Sequence, residues 1–357
     1  MQKLYPLKLE ESFHETIWGG QRLGLYGLKR LPTPNVAIGE SWETEIQNVV
    51  LNGPYQGKTL GNLVDELGAE LLGQQAIAIF GKRFPLLAKF IDATAKLSVQ
   101  VHPDDLYAAA HEDGKLGKAE FWYILAAEPG ATIVHGFKTP TSSEEVRKAI
   151  ENVSLEDLLK EVPVAAGDVI FVPAGTVHAI GSGVMLFELQ EYSDITYRMY
   201  DYGRLTAAGV PRELDVKKSL EVSHYCVSPR VKVQPVLLAE EEGYEDRCLI
   251  ACQYFVTREI IIKQRNSFHG YMKGETGGSC IILTALNGEV QVSYGEALAS
   301  TEKLIRGQTM VLPAELGNYC LEGEGIVLFS YVPIQEDEVW KAWENKNSGE
   351  VRGEKPR

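Results

Sequence analysis

Two periodicities divide the chain. Between residues 59 and 80, Leu60, Leu63, Val64, Leu67, Leu71 and Leu72 recur at helical spacing, which predicts a helix there. A second helix is predicted over 142–160, with Ser143 as its N-cap and a further start at Ser154, and a short one over 104–112 after Pro103-Asp104-Asp105. Residues 1–60 read as short strands and turns, punctuated by Gly19-Gly20, Gly39 and Gly53-Pro54. From Phe84 to Val101, apolar runs lead into a strand. The stretches 121–125, 132–134, 169–172, 185–189 and 195–197 are strand-like, and helix signals nearly vanish beyond residue 160. Later strands are expected at 255–262, 280–285, 290–292, 309–312 and 326–331. Many short strands at even spacing predict a mainly β fold of sandwich or barrel type, with helices inserted in the N-terminal half. The charged tail from Gln335 is expected to fray.

One segment occurs twice. Ala166-Gly167-Asp168-Val169-Ile170-Phe171-Val172-Pro173-Ala174 matches Arg306-Gly307-Gln308-Thr309-Met310-Val311-Leu312-Pro313-Ala314 without gaps. The alignment sets His178 opposite Asn318, with Gly278 roughly opposite Glu120. Two related barrels are therefore expected, only the first keeping a metal-binding histidine. The second is expected to pack against the first and stabilise it.

The chain has 357 residues, which suits two domains, and its 45% apolar residues allow a sizeable core. A net charge of −14 argues against a nucleic-acid partner. The start Met1-Gln2-Lys3-Leu4-Tyr5-Pro6 carries no signal-like apolar stretch, and no run approaches the roughly 18 apolar residues of a membrane span. The expectation is a cytoplasmic protein without a membrane partner. Cys226, Cys248, Cys252, Cys280 and Cys320 are odd in number, so free, mostly buried thiols are expected.

Candidate chemistry gathers in the N-terminal half. Gln100 and His102 alternate on a predicted strand, so both side chains can reach one ion. Glu120 opens the next strand, with Lys118 on the same face. His178 follows a tight turn in Gly167-x5-Pro173-x-Gly175-x2-His178. Together Gln100, His102, Glu120 and His178 form a mixed N/O donor set, suited to zinc, iron(II) or manganese(II) with positions open for substrate. His14, His111, His135, His224 and His269 lack partners at ligand spacing and read as structural or surface residues.

The Gly-x5-Pro-x-Gly-x2-His pattern resembles the second cupin motif, with Ser182 in place of its usual Asn. Several segments resemble the type I mannose-6-phosphate isomerases in their short bacterial form: Phe84 to Lys89, Lys96 to Asp105 with its Gln-Val-His-Pro-Asp-Asp, Gly117 to Tyr123, Val172 to Gly181 and Gln190 to Arg204. Ile17-Trp18-Gly19-Gly20 and Gly39-Glu40-Ser41-Trp42-Glu43 extend the likeness, which covers about residues 1–335.

The resemblance implies two cupin-type jelly-roll barrels: a catalytic domain over 1–240 with the helical segments, a degenerate one over 241–335, and a tail over 336–357. It implies one zinc ion on Gln100, His102, Glu120 and His178, a phosphate held by Lys89 and Ser98, and catalytic Lys118 and Arg198. Larger members carry a histidine before that lysine; here Gly117 stands there. The implied reaction interconverts mannose 6-phosphate and fructose 6-phosphate through an enediol(ate), in a monomer or homodimer. Shifting a carbonyl between C1 and C2 needs an electrophile to acidify the carbon and a base to carry the proton. Lys118 and Glu191 are the expected proton handlers, with Arg198 stabilising negative charge and Asp194 orienting it beside the substrate. An iron dioxygenase and a non-catalytic sugar-phosphate sensor are the competing readings.

Overall fold

The strands Leu86–Ala93 and Val184–Glu191 lie side by side and are buried at every position. Strands covered on both faces read as continuous apolar runs instead of alternating ones. The computed structural model describes residues 4–205, 209–228, 231–271, 278–334 and 337–347. Among these, one sheet runs in hydrogen-bonded order Ser12–Gly20, Ile38–Trp42, Leu86–Ala93, Val184–Glu191, Glu120–Ala127 and Val169–Val172. A facing sheet runs Tyr197–Tyr200, Val99–Val101, His178–Ile180, Thr132–Phe137 and Leu159–Pro163. Ile91, Trp122, Ile124, Ile170 and Leu186 from the first sheet pack with Ile133 and Ile180 from the second. The result is an antiparallel jelly-roll sandwich, mainly β as expected.

Each sheet also has a covered outer face. Val99, Val101, Ala179 and Met199 pack under helices Asp105–His111, Ser143–Glu151 and Val216–Val222. Phe90, Phe121, Phe187 and Leu189 pack instead with the helical segment and the C-terminal half, through Leu71, Phe255 and Ile281 among others. That half is built on one long sheet, ordered Leu7–Lys8, Thr309–Leu312, Ile281–Tyr294, Asn318–Tyr331, Val256–Tyr271, Tyr244–Ala251 and Val236–Glu240, with Ser300–Ile305 on Ile281–Tyr294. It recruits Leu7–Lys8 from the start of the chain and begins at Val236, ahead of the boundary expected at 241.

Several elements depart from the expected pattern. The helix expected over 59–80 is three pieces, Leu60–Leu67, Ala69–Leu72 and Gln74–Phe80, broken at Gly68 and Gly73. Gly73 has φ +87°, and a Cβ there would lie 1.7 Å from the Gly278 carbonyl oxygen, so the helix must break where it meets the C-terminal half. The helix expected over 142–160 ends at Glu151, its N-cap is Ser142 instead of Ser143, and a short 3-10 turn leads into strand Leu159–Pro163. Helix Val216–Val222 was not legible. The strands expected at 280–285 and 290–292 are one, Ile281–Tyr294, whose register shifts between Ala285 and Asn287.

The tail does not begin by fraying. Residues Glu338–Asn347 form a helix against Tyr244–Ala251, with Trp343 buried and its indole N–H donating to the Leu249 carbonyl at 3.2 Å. Residues 348–357 lie outside the described residues. Four of the five cysteines are buried and all five are free thiols; Cys226 is exposed. Among the described residues, no helix is long and apolar enough to cross a membrane.

The repeat is real in three dimensions. Residues 166–180 and 306–320 follow the same turn, strand, turn and strand course. Gly167 N–H donates to Ile124 O, and Gly307 N–H to Ala285 O, closing equivalent turns. Replacing Trp343 by Ala should cost about 3 kcal/mol or more of stability, read as a drop in denaturant midpoint at unchanged slope. A frayed tail would lose almost nothing.

Candidate metal centre

Alternation along the strands decides what enters the space between the facing sheets. Val99 and Val101 face the helices, so Gln100 and His102 face inward. Phe121 packs outward, so Glu120 and Trp122 face inward. His178 pairs directly with Gln100 on one side and His135 on the other. All four expected ligands therefore meet. His178 Nε2 lies 3.3 Å from Glu120 Oε1 and 3.3 Å from the Gln100 amide nitrogen, and His102 Nε2 lies 3.5 Å from Glu120 Oε2.

Both imidazoles are held in one orientation by backbone carbonyls. His102 Nδ1 is 2.8 Å from the Ile195 carbonyl and His178 Nδ1 is 2.9 Å from the Thr176 carbonyl. Each carbonyl holds the proton on Nδ1 and leaves the Nε2 lone pair facing Glu120. Burial keeps both rings neutral: His102 is held well below the usual range, and His178 is pushed down to about 3. Burial, then the nearby Glu188, raises Glu120 to about 7. Both Glu120 oxygens are buried without a well-directed hydrogen bond, although the Lys118 ammonium sits 2.7 Å from Oε2. Uncompensated carboxylate oxygens facing two imidazole lone pairs are what a divalent cation would satisfy. Among the described residues, His102, Glu120 and His178 form the one such group, with ligand atoms within 4.8 Å of one another.

Lys118 joins the cluster as expected. It is buried, and its Nζ is also 3.2 Å from His102 Nε2. Gly117 explains itself sterically: a Cβ there would lie 2.5 Å from the Asp104 carbonyl carbon and 2.6 Å from the Asp105 nitrogen. No side chain fits at this position unless the 103–105 turn moves.

Lys89 is buried on the inward face, with Nζ 3.4 Å from Glu188 Oε1, 3.5 Å from Glu40 Oε2 and 4.5 Å from the Trp42 ring centre. Burial opposes its charge, but Glu40 and Glu188 outweigh it and raise its pKa. Ser98 is buried and shares by alternation the face of Gln100. Arg198 pairs with Gln100 across the sheet, half-buried, its Nη1 donating to the Glu213 carbonyl and its Nε buried without a partner. Burial, then Arg212, lowers its pKa.

Two expectations need correcting. Asp194 does not orient Arg198: it is exposed and pairs with Lys115 at 2.8 Å, while Asp215 accepts from the Arg198 backbone at 3.2 Å. Glu191 does not share the inward face. Glu188 and Gln190 point inward with Glu120, so Glu191 falls on the opposite side, where Oε1 accepts the Ala119 N–H at 2.8 Å.

Glu188 was missed. Its Oε2 accepts the Trp122 indole N–H at 3.0 Å, and the Trp122 ring meets His178 edge-on at 5.5 Å between centres. The signal was present: a lone glutamate inside the apolar run Met185-Leu186-Phe187-Glu188-Leu189 must bury its charge, and buried charges cluster at working sites. Burial would raise its pKa, but Lys118 and Lys89 hold it below the usual range. Two carboxylates thus sit with pKa values driven apart, between two ammonium groups. His135 is buried, its Nε2 2.9 Å from the Phe171 carbonyl; the His269 side chain lies outside the described residues.

Comparison with known proteins agrees with this geometry. The family model for the catalytic domain of type I phosphomannose isomerase matches residues 6–134. The mannose-6-phosphate isomerase ManA of Bacillus subtilis is 38% identical over 338 residues, covering 92% of this chain and 99% of that protein. A mannose-6-phosphate isomerase of Streptococcus mutans is 34% identical over 91% of this chain and 98% of its own length. Among solved structures, a mannose 6-phosphate isomerase from Bacillus subtilis superposes with a TM-score of 0.78 at 32% identity, covering 91% of this chain and 99% of that one. With relatives this similar over nearly their whole length, the chain belongs to the type I phosphomannose isomerase family.

Proposed function

We propose that this chain is a metal-dependent aldose–ketose isomerase that interconverts mannose 6-phosphate and fructose 6-phosphate. The observation that carries the reading is the buried His102–Glu120–His178 group with the Lys118 ammonium in contact with two of its members. Gln100 completes the proposed ligand set, its amide able to turn its oxygen toward the same point. Neutral nitrogens with carboxylate and amide oxygens suit zinc, with other divalent ions as substitutes. Once bound, such an ion supplies Lewis-acid polarisation of the sugar carbonyl and the adjacent hydroxyl.

The chain's own residues do the rest. A base takes the C2 proton of the aldose, leaving an enediolate, and the proton returns at C1 while the hydroxyl proton moves from O2 to O1. Nothing enters or leaves, so one base can carry the carbon-bound proton from C2 to C1, while the second proton passes between the two oxygens. Lys118 takes this role, because its buried Nζ touches two members of the proposed ligand group, Glu120 and His102. Glu188 holds Lys89 and Trp122 in place around the ligands. Lys89, Ser98 and Arg198 hold the phosphate and the developing negative charge, with Asp194 and Lys115 outside them. Lys89, Ser98, His102, Lys118, Glu120 and His178 are buried, which strengthens the interactions among them. The free thiols fit a cytoplasmic setting. No observation favours the oxygenase or sensor readings.

Purified protein should interconvert the two sugar phosphates, lose the activity to a chelator and regain it with zinc; activity after complete metal removal would sink the mechanism. Glu120→Ala should lower bound metal below one per chain by elemental analysis, whereas unchanged occupancy would remove Glu120 from the ligand set. The pH dependence of metal uptake has a definite sign. His178, at about 3, carries no proton to displace near neutrality, but Glu120, at about 7, is protonated below that pH and ionised above it. The logarithm of the metal affinity should therefore climb by about one per pH unit up to neutrality and flatten above it, measured by competition with an indicator chelator. A slope near two would mean that a histidine also gives up a proton.

A further inference from the structure

Three consecutive backbone amides carry Lys118, and each has its own acceptor. Gly117 N–H donates to Asp105 Oδ1 at 2.8 Å, Lys118 N–H to the Pro103 carbonyl at 3.0 Å, and Ala119 N–H to Glu191 Oε1 at 2.8 Å. Glu191 returns its own N–H to the Ala119 carbonyl at 3.1 Å. The segment 117–119 has no strand ladder of its own before Glu120–Ala127 begins. Two side-chain carboxyl oxygens and one backbone carbonyl replace the missing ladder.

We propose that Glu191 and Asp105 are positioning residues, two carboxyl groups on the far side of the strand that clamp the Gly117–Ala119 backbone and so aim the Lys118 amine at the reacting carbons. Their neighbourhood fits. Glu191 is buried, and its second oxygen has no well-directed partner among the described residues. Burial, then Asp105, raises its pKa well above the usual range. Glu191 Oε1 on the Ala119 N–H and Asp105 Oδ1 on the Gly117 N–H hold the two ends of one three-residue segment, so the pair acts as a bracket. Gly117 packs against the same 103–105 turn too closely for any Cβ, so the bracket grips from both ends.

This inference rests on the reading of Lys118 as the proton carrier, and the experiment separates the two. Glu191→Gln preserves an oxygen for the Ala119 N–H, so its kcat should stay within about twofold of wild type. Glu191→Ala and Asp105→Ala should each lower kcat by about 10–100-fold with little change in KM and one metal per chain retained, because a small misplacement of a reacting group costs that much. Glu191→Ala should add nothing to Lys118→Ala in a double-mutant cycle. Hydrogen exchange of the 117–119 amides should speed up in both alanine variants, with or without metal.

A Glu191→Gln variant as inactive as Glu191→Ala makes Glu191 a proton handler and overturns the proposal. So do multiplicative effects in the cycle, or unchanged exchange of the Ala119 amide. Full activity in Lys118→Ala instead removes the proton-carrier reading, and the aiming role with it, while faster exchange would still report the clamp itself.

Discussion

Four buried charges set the terms for the rest of the molecule. Lys89, Lys118, Glu120 and Glu188 are each at most 6% exposed, inside a sandwich whose apolar cluster includes Ile91, Trp122, Ile124, Ile170 and Leu186. Removing one charge from water costs several kcal/mol unless a partner compensates for it closely. Here the signs alternate in space: Lys89 beside Glu188, Lys118 beside Glu120, with each carboxylate feeling the other's lysine. The compensation is incomplete at Glu120, whose oxygens still lack well-directed partners. Stability alone would favour filling that space with apolar side chains, so the shortfall marks where the chain gives up stability for chemistry.

Holding such a cluster requires a rigid frame, and strand alternation supplies it. Lys89, Glu120 and Glu188 each point inward beside an apolar residue that points outward: Phe90, Phe121 and Leu189. Glu120 and Trp122 go in while Phe121 goes out to meet Phe255 at 6.1 Å between ring centres. Tyr123, also outward, donates its hydroxyl to Glu259 at 2.9 Å. The C-terminal half thereby touches the back of the strand that carries a metal-ligand candidate. Elsewhere it is tied in by the buried Lys29, which bridges Glu43 at 2.7 Å and the Gly307 carbonyl at 2.6 Å.

The sequence was most legible where one residue's chemistry was unusual for its strand. Gln100, His102, Glu120 and His178 came from spacing, and strand geometry brings them together. It was least legible where facing depends on an exact count along a strand. Glu191 and Glu188 differ by three positions, an odd step, so they fall on opposite faces of one strand, and only the pairing of Gln190 with Glu120 says which face is which. Asp194 was assigned to Arg198 by proximity in sequence, but its exposed carboxylate found Lys115, which no pattern links to it. The tail looked too charged to fold, but Trp343 is buried and Val339 and Trp340 pack against the same core, which docks the helix.

The repeat shows what a site costs to keep. Aligning Leu312 with Val172, the strand register sets Ile281, not Gly278, opposite Glu120, because Glu120 pairs with Val172 as Ile281 pairs with Leu312. Ile281 is fully buried in the main apolar core. Asn318 begins its strand as His178 does, yet it is exposed where His178 is buried. One copy therefore has a carboxylate and an imidazole facing each other in a closed interior, and the other has an isoleucine in the core and an amide in water. A buried glutamate without a compensating cation is costly, and the second copy has none at this position. The copy free of that burden can pack as a plain apolar core, and it is that core which backs the strand carrying Glu120.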